Sequence, residues 1–224
     1  MIVKIKRQRD AQSEPYWQSF QYNGPKHVTV SAVLDALNYT DDLLDIDGKS
    51  APRIRWECSC MQAMCGGCAM VINGVPALAC ATFADEVRGE DLVLEPLSKF
   101  PVVADLTVDR SIIFENLKRA KAYLENLAVS DKRQHKQQYS VAKCLKCGLC
   151  LEVCPNYHPG AEFFGAVLAN ESYLIASQSS DKKAQVIKEY KTHFGAGCSK
   201  ALSCQSVCPM EIETITSIMR MNRK

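Results

Sequence analysis

The sequence predicts an α+β chain in two parts: a β-grasp domain over residues 1–105, then an all-α domain over residues 106–224. Three observations support this. In the first part, short runs alternate apolar and polar side chains between turn signals, the pattern of half-buried strands. From about residue 106 the apolar spacing changes to three and four, as on a helix that buries one stripe. Eleven of the twelve cysteines fall in three tight groups, one in the first part and two in the second.

Taken in order, "IVKIKR" alternates apolar and basic residues and reads as a strand. "YWQSFQYN" is a second strand, with a turn signal at Asn23-Gly24. "TVSAVLDALNYT" places Val30, Val33, Leu34 and Leu37 at helical spacing, with Thr29 or Ser31 as cap. "AMVINGVPALAC" has Asn73-Gly74 between two apolar arms, a two-residue hairpin signal, and "DLVLEPL" is a late strand. In the second part, Ile113, Leu117, Ala120, Leu124 and Leu127 form one stripe and predict a helix over 108–127. "SDKRQHKQQYS" reads as an exposed polar connection whose basic residues are solvated, and "AEFFGAVLANESYLIAS" as a helix. A further helix is expected from Asp181 to Gly195, with Val186, Ile187 and Tyr190 facing inward. "EIETITSIMRM" closes the chain as a helix with Ile212, Ile215 and Ile218 as its seam.

The 224 residues suffice for one large domain or two small ones, and 47% hydrophobic with 23% charged residues is ordinary for a globular protein. A net charge of +2 supplies no basic field, so nucleic acid is not an expected partner. "MIVKIKRQRD" lacks the apolar core of a signal peptide. The weakly polar stretch near 68–84 is broken by Asn73, Gly74 and Pro76, so it is not a membrane span. Membrane association is therefore expected to come through another subunit or a surface patch. Disulfides are uncommon in chains without export signals, and scattered core thiols would not cluster; metal ligation is the expected use of these cysteines.

Cys60, Cys65 and Cys68 have the spacing C-x4-C-x2-C, and Cys80 follows with eleven residues between; this is the plant-type [2Fe–2S] spacing. A turn centred on Asn73-Gly74 sets Cys80 opposite Gly67 and beside Cys68, so the hairpin returns a fourth sulfur to the loop. Gly66 and Gly67 allow the backbone to approach sulfur, and Cys58 is left as a bystander. Structural zinc is the alternative for four thiolates. A Rieske centre needs two His ligands, and no His lies near these cysteines.

Further on, "CLKCGLCLEVCP" is C-x2-C-x2-C-x3-C-P, and "CSKALSCQSVCP" repeats it with Ala201 in place of the second cysteine. In two-cluster ferredoxins the fourth cysteine of such a run ligates the other cluster. That exchange gives Cys144, Cys147, Cys150 and Cys208 to a [4Fe–4S] site and leaves Cys154, Cys198 and Cys204 at the other. Ala201 offers no lone pair, so this second site is expected to hold [3Fe–4S]. A duplicated zinc ribbon would want ligands in fours, and four plus three does not suit it.

Together these motifs, with "PVVADLTVDRSIIFENLK" between the two parts, resemble the iron–sulfur subunit of the succinate dehydrogenase and fumarate reductase (complex II) family over nearly the whole chain. The resemblance implies a ferredoxin-like N-terminal domain with [2Fe–2S] and a helical, ferredoxin-like C-terminal domain with [4Fe–4S] and [3Fe–4S]. It implies a relay of single electrons between a flavoprotein subunit, which carries FAD and the dicarboxylate site, and a membrane anchor or cytochrome b-type subunit that handles quinone. It also implies a peripheral position on the inner, cytoplasmic face of the cell membrane. The catalytic residues for the dicarboxylate lie on another subunit, and His27, His135, His158 and His193 are surface or packing residues here. Family members often carry tryptophan just after the cysteine equivalent to Cys154; this chain has "CPNYHPG", with Tyr157 and His158 as candidates for a quinone pocket. That departure weakens ubiquinone and leaves menaquinone open. The alternatives are an iron–sulfur carrier of another flavoprotein complex, which should show two complete cysteine runs, and a freestanding multi-cluster ferredoxin, which seldom needs such long helices.

Overall fold

The computed structural model describes residues 1–129, 133–179 and 181–223, and they form two compact units, Met1–Asp109 and Arg110–Lys224. In the first unit β1 (Ile2–Arg7), β2 (Tyr16–Gln21), β3 (Ala69–Ile72), β4 (Val75–Leu78) and β5 (Leu92–Glu95) make one mixed sheet in the order β2-β1-β5-β3-β4. β1 runs parallel to β5, pairing Ile5 with Leu94, and the other pairs are antiparallel. The period-two pattern of "IVKIKR" explains the orientation: Val3 and Ile5 are wholly buried, while Lys4 and Lys6 face out and pair with Asp91 and Glu95. Phe20, Leu92 and Leu94 join the core, and α1 (Val30–Asn38) buries Val30, Val33, Leu34 and Leu37. Thr29 caps α1, accepting the Ala32 amide at 3.3 Å, as its sequence predicts.

Arg7 departs from the alternation's simple reading. It ends β1 on the buried face, 2% exposed, because each of its three guanidinium nitrogens finds an acceptor. Nε donates to Asp105 Oδ1 at 2.9 Å, Nη1 to Gln18 Oε1 at 2.9 Å, and Nη2 to the carbonyls of Pro52 and Arg53. Asp105 is held in turn by the amides of Gln8 and Arg55. It occupies the turn between β6 (Val102–Ala104) and β7 (Thr107–Val108), a short hairpin that the sequence does not announce.

The second unit contains α2 (Ser111–Arg119), α3 (His135–Ala142), α4 (Leu149–Glu152), α5 (Gly165–Gln178), α6 (Lys183–Tyr190), α7 (Ser203–Ser206) and α8 (Thr214–Met221). Its core gathers Val141, Leu168, Tyr173, Val186, Tyr190 and Ile218, with Cys144, Cys198 and Cys208 packed against it. The helix expected over 108–127 stops at Arg119, because Lys121 turns left-handed (φ 53°); Ile113 and Ala120 are buried but Leu127 is 96% exposed. The stretch read as a polar connection is helical from His135, since Gln138 and Val141 turn inward; residues 130–132 of it lie outside the described residues. α5 starts at Gly165 rather than Ala161, and the helix expected to Gly195 is α-helical only to Tyr190, continuing as a π-helical turn over Lys191–Gly195. Val186 and Tyr190 face inward as expected. α8 starts at Thr214; it buries Thr214, Ser217, Ile218 and Met221, while Ile212 is buried ahead of it and Ile215 is half-buried.

Candidate metal centres

The hairpin fixes the first cysteine group. Asn73 (φ 46°) and Gly74 (φ 78°) both take the left-handed conformation that a tight turn between twisted strands requires. The register pairs Ile72 with Val75 and Ala69 with Leu78. The Asn73 side chain locks the turn to β5, donating to the carbonyls of Arg88 and Asp91 and accepting the Val93 amide. Cys80, just past β4, thereby lies 3.3 Å from Cys68, sulfur to sulfur. The loop itself is wound by left-handed residues at Met61, Ala63 and Gly66, which turn its amides toward sulfur. The amides of Gln62 and Met64 donate to Cys60 (3.5 and 3.2 Å), Ala63 to Cys80 (3.2 Å) and Gly67 to Cys65 (3.4 Å). Gly66 needs its glycine for φ 77°, whereas Gly67 does not have a positive φ, so only one of the two expected glycines is conformationally required. Cys58 is exposed.

In the second unit the two runs share one backbone path. Lys146 and Lys200 are left-handed (φ 54° and 61°), as are the residues that begin the short helices, Gly148 (φ 88°) and Leu202 (φ 58°). The Gly148 carbonyl accepts from Leu151 and Glu152, and the Leu202 carbonyl from Gln205 and Ser206. The repeat seen as a cysteine pattern is thus a repeat of conformation, with Ala201 at the position of Cys147. Cys144, Cys147, Cys150 and Cys208 line one cavity, with Asn170 of α5 and Cys204 at its wall. Cys154, Cys198, Cys204 and Ala201 line another. Each run therefore contributes its last cysteine to the cavity bordered by the start of the other.

Electrostatics follow this geometry. The Gln62 and Met64 amides pull the Cys60 thiol down to about 7, because hydrogen bonds to sulfur favour thiolate. Burial pushes Cys68 up to about 12, and Cys144 and Cys204 to about 11. Burial also holds Cys150 well above the usual thiol range, reinforced by the charges of Cys147, Cys144, Cys204 and Cys208. The charges that bear on Cys204 are those of Cys154 and Cys198. At neutral pH these buried sulfurs therefore hold their protons, and becoming thiolates side by side requires cations to take the protons' place. Among the described residues none of the twelve cysteines is in a disulfide, and no three His, Cys, Asp or Glu side chains converge as ligands of a single ion would. Soft sulfur donors around cavities, with backbone amides aimed at sulfur in the first loop, fit iron–sulfur clusters.

Tyr157 and His158 separate. Tyr157 is 1% exposed, its hydroxyl has no hydrogen-bond partner among the described residues, and burial and then Cys150 raise its pKa, disfavouring ionisation; His158 is exposed. His27 and His135 are exposed, and His193 is buried against Phe164, with Nδ1 3.1 Å from the Glu162 carbonyl. Sequence reasoning missed Lys146, whose Nζ is 2.6 Å from Glu171, and Arg110, which donates to the Cys147 carbonyl at 3.4 Å. The recurrence of lysine two residues after the first cysteine of each run, at Lys146 and Lys200, was the available signal.

The comparisons with known proteins agree with this layout. A family model described as a 2Fe-2S iron-sulfur cluster binding domain matches residues 2–115, and two 4Fe-4S dicluster models match residues 140–212 and 110–158. The succinate dehydrogenase iron-sulfur subunit of Bacillus subtilis is 30% identical over 230 residues, which span 98% of this chain and 90% of that one. The chain belongs to the succinate dehydrogenase and fumarate reductase iron–sulfur subunit family. The fumarate reductase iron-sulfur subunit of Escherichia coli is likewise 30% identical, over 89% of this chain and 82% of its own. The fold is that of a chain in the Mycobacterium smegmatis Sdh1 complex in the apo form, at a TM-score of 0.73 and 22% identity, covering 98% of this chain and 94% of that one. As a family member the chain is an oxidoreductase subunit with [2Fe–2S] and [4Fe–4S] binding domains.

Proposed function

We propose that this subunit relays single electrons between the FAD of a flavoprotein subunit, where succinate and fumarate interconvert, and quinone at a membrane anchor or cytochrome b-type subunit. Three bound clusters supply the one-electron chemistry, and the chain supplies ligands, spacing and electrostatics. Cys60, Cys65, Cys68 and Cys80 hold [2Fe–2S]; Cys144, Cys147, Cys150 and Cys208 hold [4Fe–4S]; Cys154, Cys198 and Cys204 hold [3Fe–4S]. The first loop's amides stabilise negative charge on its sulfurs. The observation that carries the reading is Ala201 in the wall of the second cavity, at the repeat position of Cys147. A site with three thiols and a methyl group there retains three irons. His158, exposed beside the Cys154 turn, is the member of its pair that faces menaquinone or ubiquinone, and buried Tyr157 supports the turn. Among the described residues no helix is long and apolar enough to cross a membrane; on this reading attachment is peripheral, through the anchor, on the cytoplasmic face.

Low-temperature EPR of the purified complex tests this, with iron and sulfide analysis. The expected result is an oxidised [3Fe–4S] signal, a [2Fe–2S] signal on reduction by succinate, and a [4Fe–4S] signal once a stronger reductant, dithionite, is added. Bound zinc, or a stable fourth iron at the last site, overturns the assignment. A failure of succinate to reduce either the [2Fe–2S] or the [3Fe–4S] cluster would move the subunit to another flavoprotein system.

A further inference from the structure

We infer that Lys146 and Glu171 form an opposed pair of fixed charges that sets the midpoint potential of the group held by Cys144, Cys147, Cys150 and Cys208, the lysine raising it and the glutamate lowering it. The inference rests on the ligand assignment proposed above. It starts from a pair that packing alone does not explain. Lys146 stands between Cys144 and Cys147 at φ 54°, a conformation costly for a residue with a Cβ. Its side chain is 20% exposed and that of Glu171 only 10%, yet Nζ reaches Glu171 Oε1 at 2.6 Å and the Cys144 carbonyl at 3.4 Å. Two charges drawn out of water in this way seldom stabilise a fold more than apolar side chains of similar volume would. The strain and the desolvation both fall at the edge of the first cavity, where a charge has most effect.

Lys146 lines that cavity, and Glu171 follows Asn170, which also lines it, on α5. One electron entering the cavity adds one negative charge. In a poorly screened interior, a nearby ammonium favours the reduced state and a nearby carboxylate the oxidised state. Arg110, which donates to the Cys147 carbonyl, acts in the same sense as Lys146 and is left unaltered in the test below. The repeat provides an internal control. Lys200 has the same place and the same left-handed backbone in the second run, but it is exposed, and solvent screens an exposed charge. Among the described residues, a charged pair drawn largely out of water is thus found at Lys146 and not at its counterpart Lys200.

The test is an EPR-monitored redox titration of the purified complex at pH 7, following each cluster separately. Lys146→Met is expected to move the oxidised-to-reduced ratio of the [4Fe–4S] site about tenfold toward oxidised at fixed potential, a fall of about 59 mV in midpoint. Glu171→Gln moves it the opposite way. The double variant returns to within threefold of the unaltered protein, and Lys146→Arg stays there throughout. Lys200→Met shifts the second run's site by less than threefold. If Lys146→Met fails to retain its cluster, measured as integrated spin per chain, the signs of Glu171→Gln and Lys146→Arg decide. Shifts of the same sign in the two charge-removing variants, or shifts below threefold in both, overturn the inference. Absence of any [4Fe–4S] signal in the unaltered complex overturns the ligand assignment instead, and is distinguishable because no midpoint can then be read.

Discussion

Replacing Ala201 with cysteine supplies the sulfur that the second run lacks. The backbone is already prepared for it. Lys200 and Leu202 flank Ala201 with the same left-handed angles that Lys146 and Gly148 give Cys147, and the hydrogen bonds that follow repeat one for one. Ala201 borders the cavity shared by Cys154, Cys198 and Cys204, so the added sulfur enters it without a change of fold. Ala201→Cys should therefore raise the iron content from about nine to about ten per chain. The EPR signal of the oxidised, air-exposed complex should disappear. A fourth thiolate adds negative charge, so the site's midpoint falls by on the order of 100 mV on a scale that runs from about −700 to +450 mV. At about 59 mV per factor of ten, that lowers the reduced-to-oxidised ratio at fixed potential roughly fiftyfold. Succinate-driven quinone reduction slows accordingly. If the sulfur is present by mass spectrometry while the iron content and the oxidised signal stay unchanged, the equivalence of Ala201 with Cys147 is wrong, and so is the assignment of the last three cysteines.

Three further outcomes follow from the same structure. Arg7→Met leaves Asp105 buried without its cation, which costs about 3–5 kcal/mol; in a unit of this size calorimetry should show its melting temperature lowered by at least about 10 °C, and a fall under 2 °C would contradict the ion pair's role. Gly165→Ala places a Cβ at φ 71° and 2.4 Å from Leu151 Cδ2, so it should destabilise the second unit by about 1–2 kcal/mol from backbone strain alone, readable as a lower denaturation midpoint. In protein stripped of metal, iodoacetamide near pH 7.5 should label Cys60 well before Cys68, because thiolate is the reactive form and their thiols lie at about 7 and about 12. Lowering the pH from 7 to 6 protonates Cys60 and should slow its labelling roughly fivefold, as peptide mass spectrometry would report; equal labelling of both at pH 7.5 would contradict the amide hydrogen bonds.

The site was more legible than the elements that carry it. Cysteine spacing is a statement about ligands, and turn chemistry at Asn73-Gly74 is strong enough to fix a register, so the meeting of Cys68 and Cys80 could be read from the thirteen residues 68–80. Strand alternation in "IVKIKR" held because one face is buried. Helix ends were less readable. The stripe from Ile113 to Leu127 continues past the helix because nothing in the apolar spacing registers that Lys121 turns left-handed. "SDKRQHKQQYS" looks like a loop because its few buried positions, such as Gln138, are polar and find partners at Ser177. Arg7 and Lys146 were missed for the same reason. A buried cation looks like a surface one until its acceptors, brought from Asp105 or Glu171, are seen around it.

The crossing of cysteines between the two runs has a consequence for how the chain matures. A nascent polypeptide that has emerged only as far as Cys154 possesses no finished wall for either cavity, since Cys208 closes one and Cys198 and Cys204 close the other. On the proposed ligand assignment, neither group can acquire its full set of thiolates before the second run, Cys198 to Cys208, has been made, so disrupting that run is expected to cost both groups together.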